Sequence, residues 1–473
     1  MFIGGAFVST FEGRRVTLVN PSTEESFATV LVASDVDADA AVQAARAALP
    51  TWSRLPFPER AAVVDRIALA WRSRAEEIAA SVSTEMGMPI ANSRLSNGEG
   101  AARNFEYFAD LGRQFADQEV RPALGYSGES TVRHSPVGVV AAIAPWNYPC
   151  HLMTSKLAPA LVAGCTVVLK PPIENAVTAL LMAEVMLAAD VPPGVVNIVV
   201  GDVGFSEALV AHPEVDMVAF TGSTEVGRRI GSVAGARLAR TNLELGGKSA
   251  AIVLDDADLG RTLRDLPPLS FRNSGQTCFA QTRVIALPSV YEAVVDGFRA
   301  WADAQVLGSA FDESTTMGPL ASKRQLTTTR RFVHSGLSSG FRLVAGGPDA
   351  PVPAVGYFAA PTVFADVDNT TELAQEEVFG PVVCIITAAD EADAVRLANE
   401  SRYGLAATVW TSDLDHGRRL AARLDAGTVG INGYRPDLGV PFGGVKDSGT
   451  GRENGREGLA AYLRPDSVYV FAP

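Results

Sequence analysis

Cys278 lies in Gly275-Gln276-Thr277-Cys278, and Glu244 opens Glu244-Leu245-Gly246-Gly247-Lys248 earlier in the chain. A thiol in a loop of small and polar residues is placed to react rather than to fill a core. A carboxylate between apolar Leu243 and Leu245, ahead of a Gly-Gly step, is placed to work as a base. The pair points to covalent catalysis through sulfur followed by hydrolysis. The other thiols compete poorly for that role. Cys165 and Cys384 sit in apolar runs and read as core packing. Cys150 begins a helix after Pro149, where a dipole would acidify it, but no base accompanies it.

Other residue clusters carry chemistry only in company. Asn147, between Trp146 and Tyr148, has two readings: a helix cap, or an amide donor to a developing oxyanion helped by the Cys278 N–H. Phe220-Thr221-Gly222-Ser223-Thr224-Glu225 follows a strand and opens a helix, a turn where backbone N–H groups could meet a pyrophosphate. No complete G-x-G-x-x-G occurs. Lys170 reads either as an exposed strand end or as a ribose ligand. Glu376-Glu377-Val378-Phe379-Gly380-Pro381 reads either as a solvated loop or as a carboxylate and a ring beside a planar cofactor.

The elements that must position these groups follow from the hydrophobic pattern. Strand-like runs at Val137–Ile143, Thr166–Leu169, Val195–Val200, Met217–Phe220 and Thr241–Leu245 alternate with four helical patterns. Five strands and four helices call for a parallel doubly wound sheet of Rossmann type, an α/β fold. A second α/β series, with strands at Ser249–Leu254, Arg283–Leu287, Pro381–Ile386 and Thr428–Ile431, carries Cys278. Glu244 ends the first series, so the two residues meet only where the domains do. Residues 1–114 and 136–246 are expected to form one domain and residues 247–447 the other, with a long helix over Pro58–Val82. Segments 115–135 and 459–473, including Glu119–His134 and Ser467–Phe471, read as strands without a partner in their own neighbourhood. Such edges need cover, so a homodimer or homotetramer is expected.

Composition narrows the function classes. Forty basic and 53 acidic residues give a net charge of −13, which argues against nucleic-acid and acidic-membrane partners. No basic residue precedes Arg14, so no secretory signal is read, and no apolar run is long enough to span a bilayer. Four irregularly spaced cysteines make neither a disulfide framework nor a zinc site. A cytoplasmic, metal-free protein is expected.

Taken together, PWNYP at 145–149, FTGST at 220–224, ELGGK at 244–248, GQTC at 275–278, EEVFGP at 376–381 and PFGG-K-SG-GRE at 441–453 resemble the aldehyde dehydrogenase superfamily across essentially the whole chain. The resemblance implies NAD(P)-dependent oxidation of an aldehyde to an acid through a thiohemiacetal and a thioester. It implies Cys278 as nucleophile, Glu244 as general base and Asn147 as oxyanion donor, with Lys156 and Glu453 as a relay behind the base. It assigns the cofactor to Trp146, Lys170, Gly222, Ser223, Gly246, Glu377 and Phe379. It also implies a cofactor domain, a catalytic domain and a small β oligomerisation element. Tyr148, Leu152 and Ser155, one helical face beyond Asn147, and Phe279 are the expected aldehyde pocket, roomy enough for a medium or bulky substrate. Many NAD-preferring members carry Glu three residues after the cofactor lysine. Here that position is Ile173, with Glu174 next, so NAD is expected and NADP remains possible. The rival readings are a coenzyme A-acylating relative, a cofactor-independent cysteine hydrolase, and a non-enzymatic structural protein.

Overall fold

Runs of β-branched residues alternating with apolar helices build two parallel-rich sheets in the computed structural model, which describes residues 1–10 and 12–472. Phe11 and Pro473, inside the expected first and last segments, lie outside the described residues. The first sheet runs Ala6–Phe7, Phe2–Ile3, Val196–Ile198, Thr166–Lys170, Val139–Ile143, Met217–Thr221, Arg240–Glu244, Gly449–Thr450. The five inner strands are parallel, as expected. The sheet is nevertheless wider than the five strands read from the pattern. An N-terminal hairpin adds antiparallel to Val196–Ile198 and Gly449–Thr450 adds antiparallel to Arg240–Glu244. Strand order reverses around Val139–Ile143, which opens a crevice at the strand C-terminal ends.

The buried helix Pro149–Ala163 packs behind this sheet. Proline at its first turn presets φ, and thirteen of its fifteen residues are buried, so it is enclosed on every side. Leu157 and Leu161 are each fully buried, worth about 1.5–3 kcal/mol apiece in apolar transfer. That rigid seat matters because the same helix carries Ser155 and Lys156. The long helix expected over Pro58–Val82 is instead two, Phe57–Ser73 and Ala75–Met86, parted at Arg74, where φ is −119°.

The second sheet runs Arg342–Ala345, Thr362–Ala365, Val382–Thr387, Arg283–Ala286, Ala250–Val253, Ala406–Trp410, Thr428–Ile431, all pairs parallel except the first. A third, small sheet orders Leu463–Phe471, Gly128–Pro136 and Gln118–Pro122. Its outer strands pair with the middle one within the chain, Leu463–Phe471 along nine residues, so these segments do have partners. Among the described residues no helix is long and apolar enough to cross a membrane, and no cluster of metal-ligating side chains occurs.

Candidate active site

Glu244 is the last residue of an inner strand, level with Thr221 on the neighbouring one. Its side chain is 3% exposed, and neither carboxylate oxygen has a hydrogen-bond partner. Burial, and then the nearby Glu453 charge, hold this acid well above the usual carboxylate range, against the opposing pull of Lys156 and Arg452. The Gly-Gly step after it is a matter of close approach. A Cβ on Gly246 would stand 2.3 Å from a Glu377 carboxylate oxygen, and one on Gly247 would stand 2.4 Å from the Cys278 carbonyl oxygen. The base strand, the thiol loop and Glu377 thus converge on two residues without side chains. Gly247 also donates its N–H to Glu377 Oε1 at 3.0 Å.

The thiol loop is shaped by three successive residues in the left-handed region, Asn273, Ser274 and Gly275, with φ of 52°, 55° and 75°. Gly275 is obligatory twice over, since a Cβ there would meet the Gly380 carbonyl oxygen at 2.1 Å. Asn147 is gripped from this loop. Its Nδ2 donates to the Gln276 carbonyl and Asn273 Nδ2 donates to the Asn147 carbonyl, both at 2.9 Å. The helix at Pro149–Ala163 has no side-chain cap, so the capping reading of Asn147 gives way to the bridging one. One amide hydrogen is spent on Gln276, and the second remains for another acceptor.

Cys278 is half-buried, whereas Cys150, Cys165 and Cys384 are buried. Burial, and then the Glu377 and Glu244 carboxylates, push its thiol far above the ordinary range, while the N–H groups of Phe279 and Cys278 itself pull the other way. Glu244 is a buried carboxylate that acts on the thiol's charge without a hydrogen-bond donor of its own.

Behind Glu244, Lys156 Nζ donates to Glu453 Oε1 at 2.5 Å and to Thr221 Oγ1 at 2.6 Å, all of it buried. Ser155 joins this group. Its side chain is 2% exposed and its hydroxyl donates to Glu453 Oε2 at 3.1 Å. Tyr148 and Leu152, by contrast, are half-buried, and the Tyr148 hydroxyl lies 2.9 Å from Thr277 Oγ1. Phe279 faces the rings of Tyr434 at 5.2 Å and Phe442 at 6.2 Å, beside a cavity of about 340 Å³ lined by Tyr434, Val440 and Phe442.

On the adjoining crevice, Lys170 ends its strand, and burial lowers its pKa against the Glu174 and Asp202 charges. Gly222 donates its N–H to the Glu244 carbonyl at 3.0 Å, tying the next turn to the base strand. Ser223 caps the helix Thr224–Ala236, accepting the Val226 N–H at 3.4 Å. The Trp146 and Phe379 rings meet edge-on at 5.3 Å. Burial raises Glu377 to about 7. A helix N-terminus, a cation and a second carboxylate lie along one crevice, an arrangement that suits a dinucleotide. Sequence reasoning passed over Asn273, Gln276 and Thr221, whose roles are set by backbone direction. It also passed over Ser448, which accepts from Gly404 N and donates to the Gly246 carbonyl at 2.7 Å. Of these four, Thr221, Gln276 and Ser448 lay inside a recognisable motif, and Asn273 did not.

Comparison with known proteins places this geometry. A model of the Aldehyde dehydrogenase family matches residues 7–468. Geranial dehydrogenase of Castellaniella defragrans is 45% identical, covering 100% of this chain and 98% of its own. Phenylacetaldehyde dehydrogenase of Pseudomonas fluorescens is 37% identical over 99% and 95%. Among solved structures, a Mycobacterium tuberculosis aldehyde dehydrogenase complexed with NAD+ superposes with a TM-score of 0.96 at 40% identity, covering 99% and 97%. Aldehyde dehydrogenase C of Pseudomonas syringae, a mutant holding NAD+ and octanal, also gives 0.96, at 38% identity over 100% and 96%.

Proposed function

The chain belongs to the aldehyde dehydrogenase family, and from that membership we propose that it oxidises an aldehyde to the carboxylic acid with NAD, through a thiohemiacetal and a thioester on Cys278. The observation that carries the mechanism is the Glu244 carboxylate, buried and without a donor, on the strand whose Gly-Gly step touches the thiol loop. The Cys278 thiol gives its proton to solvent, the Phe279 and Cys278 N–H groups favouring the thiolate, and the sulfur forms a bond to the carbonyl carbon as the C=O π pair moves onto oxygen. Asn147 Nδ2 and the Cys278 N–H donate to the oxygen that gains the negative charge, where one such donor is worth about a hundred- to a thousand-fold in rate. Bound NAD supplies the acceptor for the hydride that leaves as the thioester forms. Glu244 then removes a proton from water as its oxygen attacks the acyl carbon, the C–S bond breaks and the acid departs. Lys156 and Glu453 carry that proton away from Glu244.

Lys170, Glu377, Gly222, Gly246, Ser223, Trp146 and Phe379 would hold the dinucleotide, with Ser223 contributing as much through the helix it caps as through its hydroxyl. NAD is favoured over NADP because Glu174 and Asp202 both act on the Lys170 charge, where a 2′-phosphate would meet them. The ratio of kcat/KM for the two cofactors tests this, and a preference for NADP would reject it. Tyr148, Leu152 and Phe279 line the aldehyde route, and Ser155 limits its inner end through Glu453. A medium or bulky aldehyde suits this route.

Residues 1–114 and 136–246 would then serve the cofactor, and 247–447 the acyl chemistry. The small sheet leaves Tyr469 and Phe471 62% and 69% exposed, which supports its use in a homodimer or homotetramer. Four unpaired thiols support a cytoplasmic setting. The direct test is Cys278→Ala. NADH formation should vanish while NAD still binds, and residual full turnover would reject the assignment.

A further inference from the structure

Lys156, buried behind the base, has Glu453 as its anion. Two other buried cations, Lys248 and Arg283, have none, although they are only 2% and 1% exposed. Lys248 closes the Glu-Leu-Gly-Gly-Lys run, directly after the glycine that donates to Glu377. Arg283 begins the strand Arg283–Ala286, level with Ala250 on the strand that follows Lys248. Its guanidinium donates to Asn369 Oδ1 at 2.9 Å and to the carbonyls of Leu397, Ala398 and Lys248 at 2.5, 2.8 and 3.5 Å. Every one of these acceptors is neutral. Arg283 Nε, Lys248 Nζ and the hydroxyl of Ser249, a residue 3% exposed, have no hydrogen-bond partner at all.

The carboxylates that act on these two charges are committed elsewhere. Glu376 and Glu377 act on Lys248, but Arg402 holds Glu376 at 2.6 Å and Gly247 donates to Glu377. Glu400 acts on Arg283 and is itself bridged to Arg396 at 2.5 Å. Cys384, which both cations feel, spends its S–H on the Leu373 carbonyl at 3.3 Å. Burying a charge without a counter-charge is costly, so such groups are normally paired or bound to an ion.

Lys248, Ser249 and Arg283 line one hollow of about 20 Å³, room for a single water-sized body. The polar groups at its mouth are already satisfied. Asp425 pairs with Lys446 at 3.0 Å, the Asn399 amide serves the Asp425 N–H and the Arg423 carbonyl, and the Tyr403 hydroxyl accepts from Arg402. An ammonium and a guanidinium only donate, and a serine hydroxyl can turn to donate. A water here would bring two O–H groups of its own, with Ser249 as the one open side-chain acceptor. A monatomic anion brings no hydrogens and supplies the missing negative charge.

We propose that Lys248, Ser249 and Arg283 form a buried halide site that takes one chloride ion. The ion neutralises both cations and, because Lys248 follows Gly247, steadies the turn that holds Glu377. The site stands apart from the thiol and the aldehyde cavity, and it does not depend on which aldehyde is oxidised.

Thermal unfolding of the full-length protein is compared in sodium chloride and in sodium gluconate, whose anion is too large for the hollow, at equal ionic strength. The wild-type Tm should rise saturably with chloride, by about 2–4 °C. Lys248→Met keeps the length of the side chain and removes its charge, and its Tm should be the same in both salts. Ser249→Ala keeps both cations and should need about ten-fold more chloride for half the effect. Crystals of the wild type grown without halide and soaked in sodium bromide should show an anomalous peak within hydrogen-bond reach of Lys248 Nζ. That arm needs no variant, so it decides the matter even where Lys248→Met does not fold. A hollow that shows water and no anomalous peak would overturn the proposal, as would equal wild-type melting in the two salts.

Discussion

Two buried carboxylates in different parts of the molecule are treated in opposite ways. Glu85, 2% exposed, accepts four hydrogen bonds: from Asn175 Nδ2, from the N–H groups of Val177 and Thr178, and from the Thr178 hydroxyl. It closes the N-terminus of the helix Ala176–Ala188, where unsatisfied N–H groups favour a carboxylate. Glu244, equally buried, accepts none. Burial pushes both acids upward, Glu85 to about 7 and Glu244 well above its usual range. The difference lies in what each can still do. Glu85 has its acceptor capacity filled and fixes a helix to its neighbour. Glu244 keeps both oxygens available, an arrangement that costs stability and makes sense only if another molecule comes to use them.

The largest effect should come from removing the open acceptor. Glu244→Gln should lower steady-state turnover by about 10²- to 10⁴-fold with no loss of melting temperature, because a neutral amide replaces an unsatisfied acid. Turnover assays and thermal unfolding together check this. A matching fall in both would make Glu244 a structural residue like Glu85.

Next is the ion pair behind it. Lys156→Met leaves Glu453 buried without its cation, a loss of about 3–5 kcal/mol of stability by denaturant titration. It also removes a charge that lowers the Glu244 pKa. The base form of Glu244 is present only above its pKa, so in this variant the rise of kcat with pH should move to higher pH. An unmoved profile would uncouple the pair from the base.

Glu85 sharpens the contrast through stability alone. Its folded pKa of about 7 exceeds the ordinary 4.5, so the folded state binds the proton more tightly. The favourable contribution is complete below pH 4.5 and is lost as pH rises through 7. The wild type should therefore lose up to about 3 kcal/mol relative to Glu85→Gln between pH 4.5 and 7. Urea titrations at the two ends measure it, and a difference independent of pH would remove Glu85 from the comparison.

The smallest effect concerns the cofactor turn. Ser223→Ala removes a helix cap and should cost about 1 kcal/mol, with a raised KM for NAD and kcat little changed. A fall in kcat alone would mean that the hydroxyl acts on the reacting atoms.

Much of the active-site side of this contrast could be read in the sequence, because motif residues lie at strand ends and turns whose chemistry is local. The five inner strands and the places of Cys278, Glu244 and Asn147 follow from period and punctuation. What escaped depends on long-range pairing. Phe2 meets Ile198 at one sheet edge and Thr450 meets Leu243 at the other, and no local pattern encodes either contact. Ala406–Trp410 occupies an inner place in the second sheet although a separate strand, Tyr403–Gly404, ends only one residue before it. Ser155 reads as a pocket residue from helical spacing, but Glu453, nearly three hundred positions away, captures its hydroxyl. Glu85 gave no signal, since its four donors come from a distant helix start.

The most direct test is to mix Glu244→Gln with NAD and an oxidisable aldehyde, quench in acid and weigh the peptide bearing Cys278. That peptide should carry the acyl group in near-stoichiometric amount, alongside one equivalent of NADH and no further turnover. An unmodified Cys278 peptide with continuing NADH production would contradict a sulfur-linked intermediate released by Glu244.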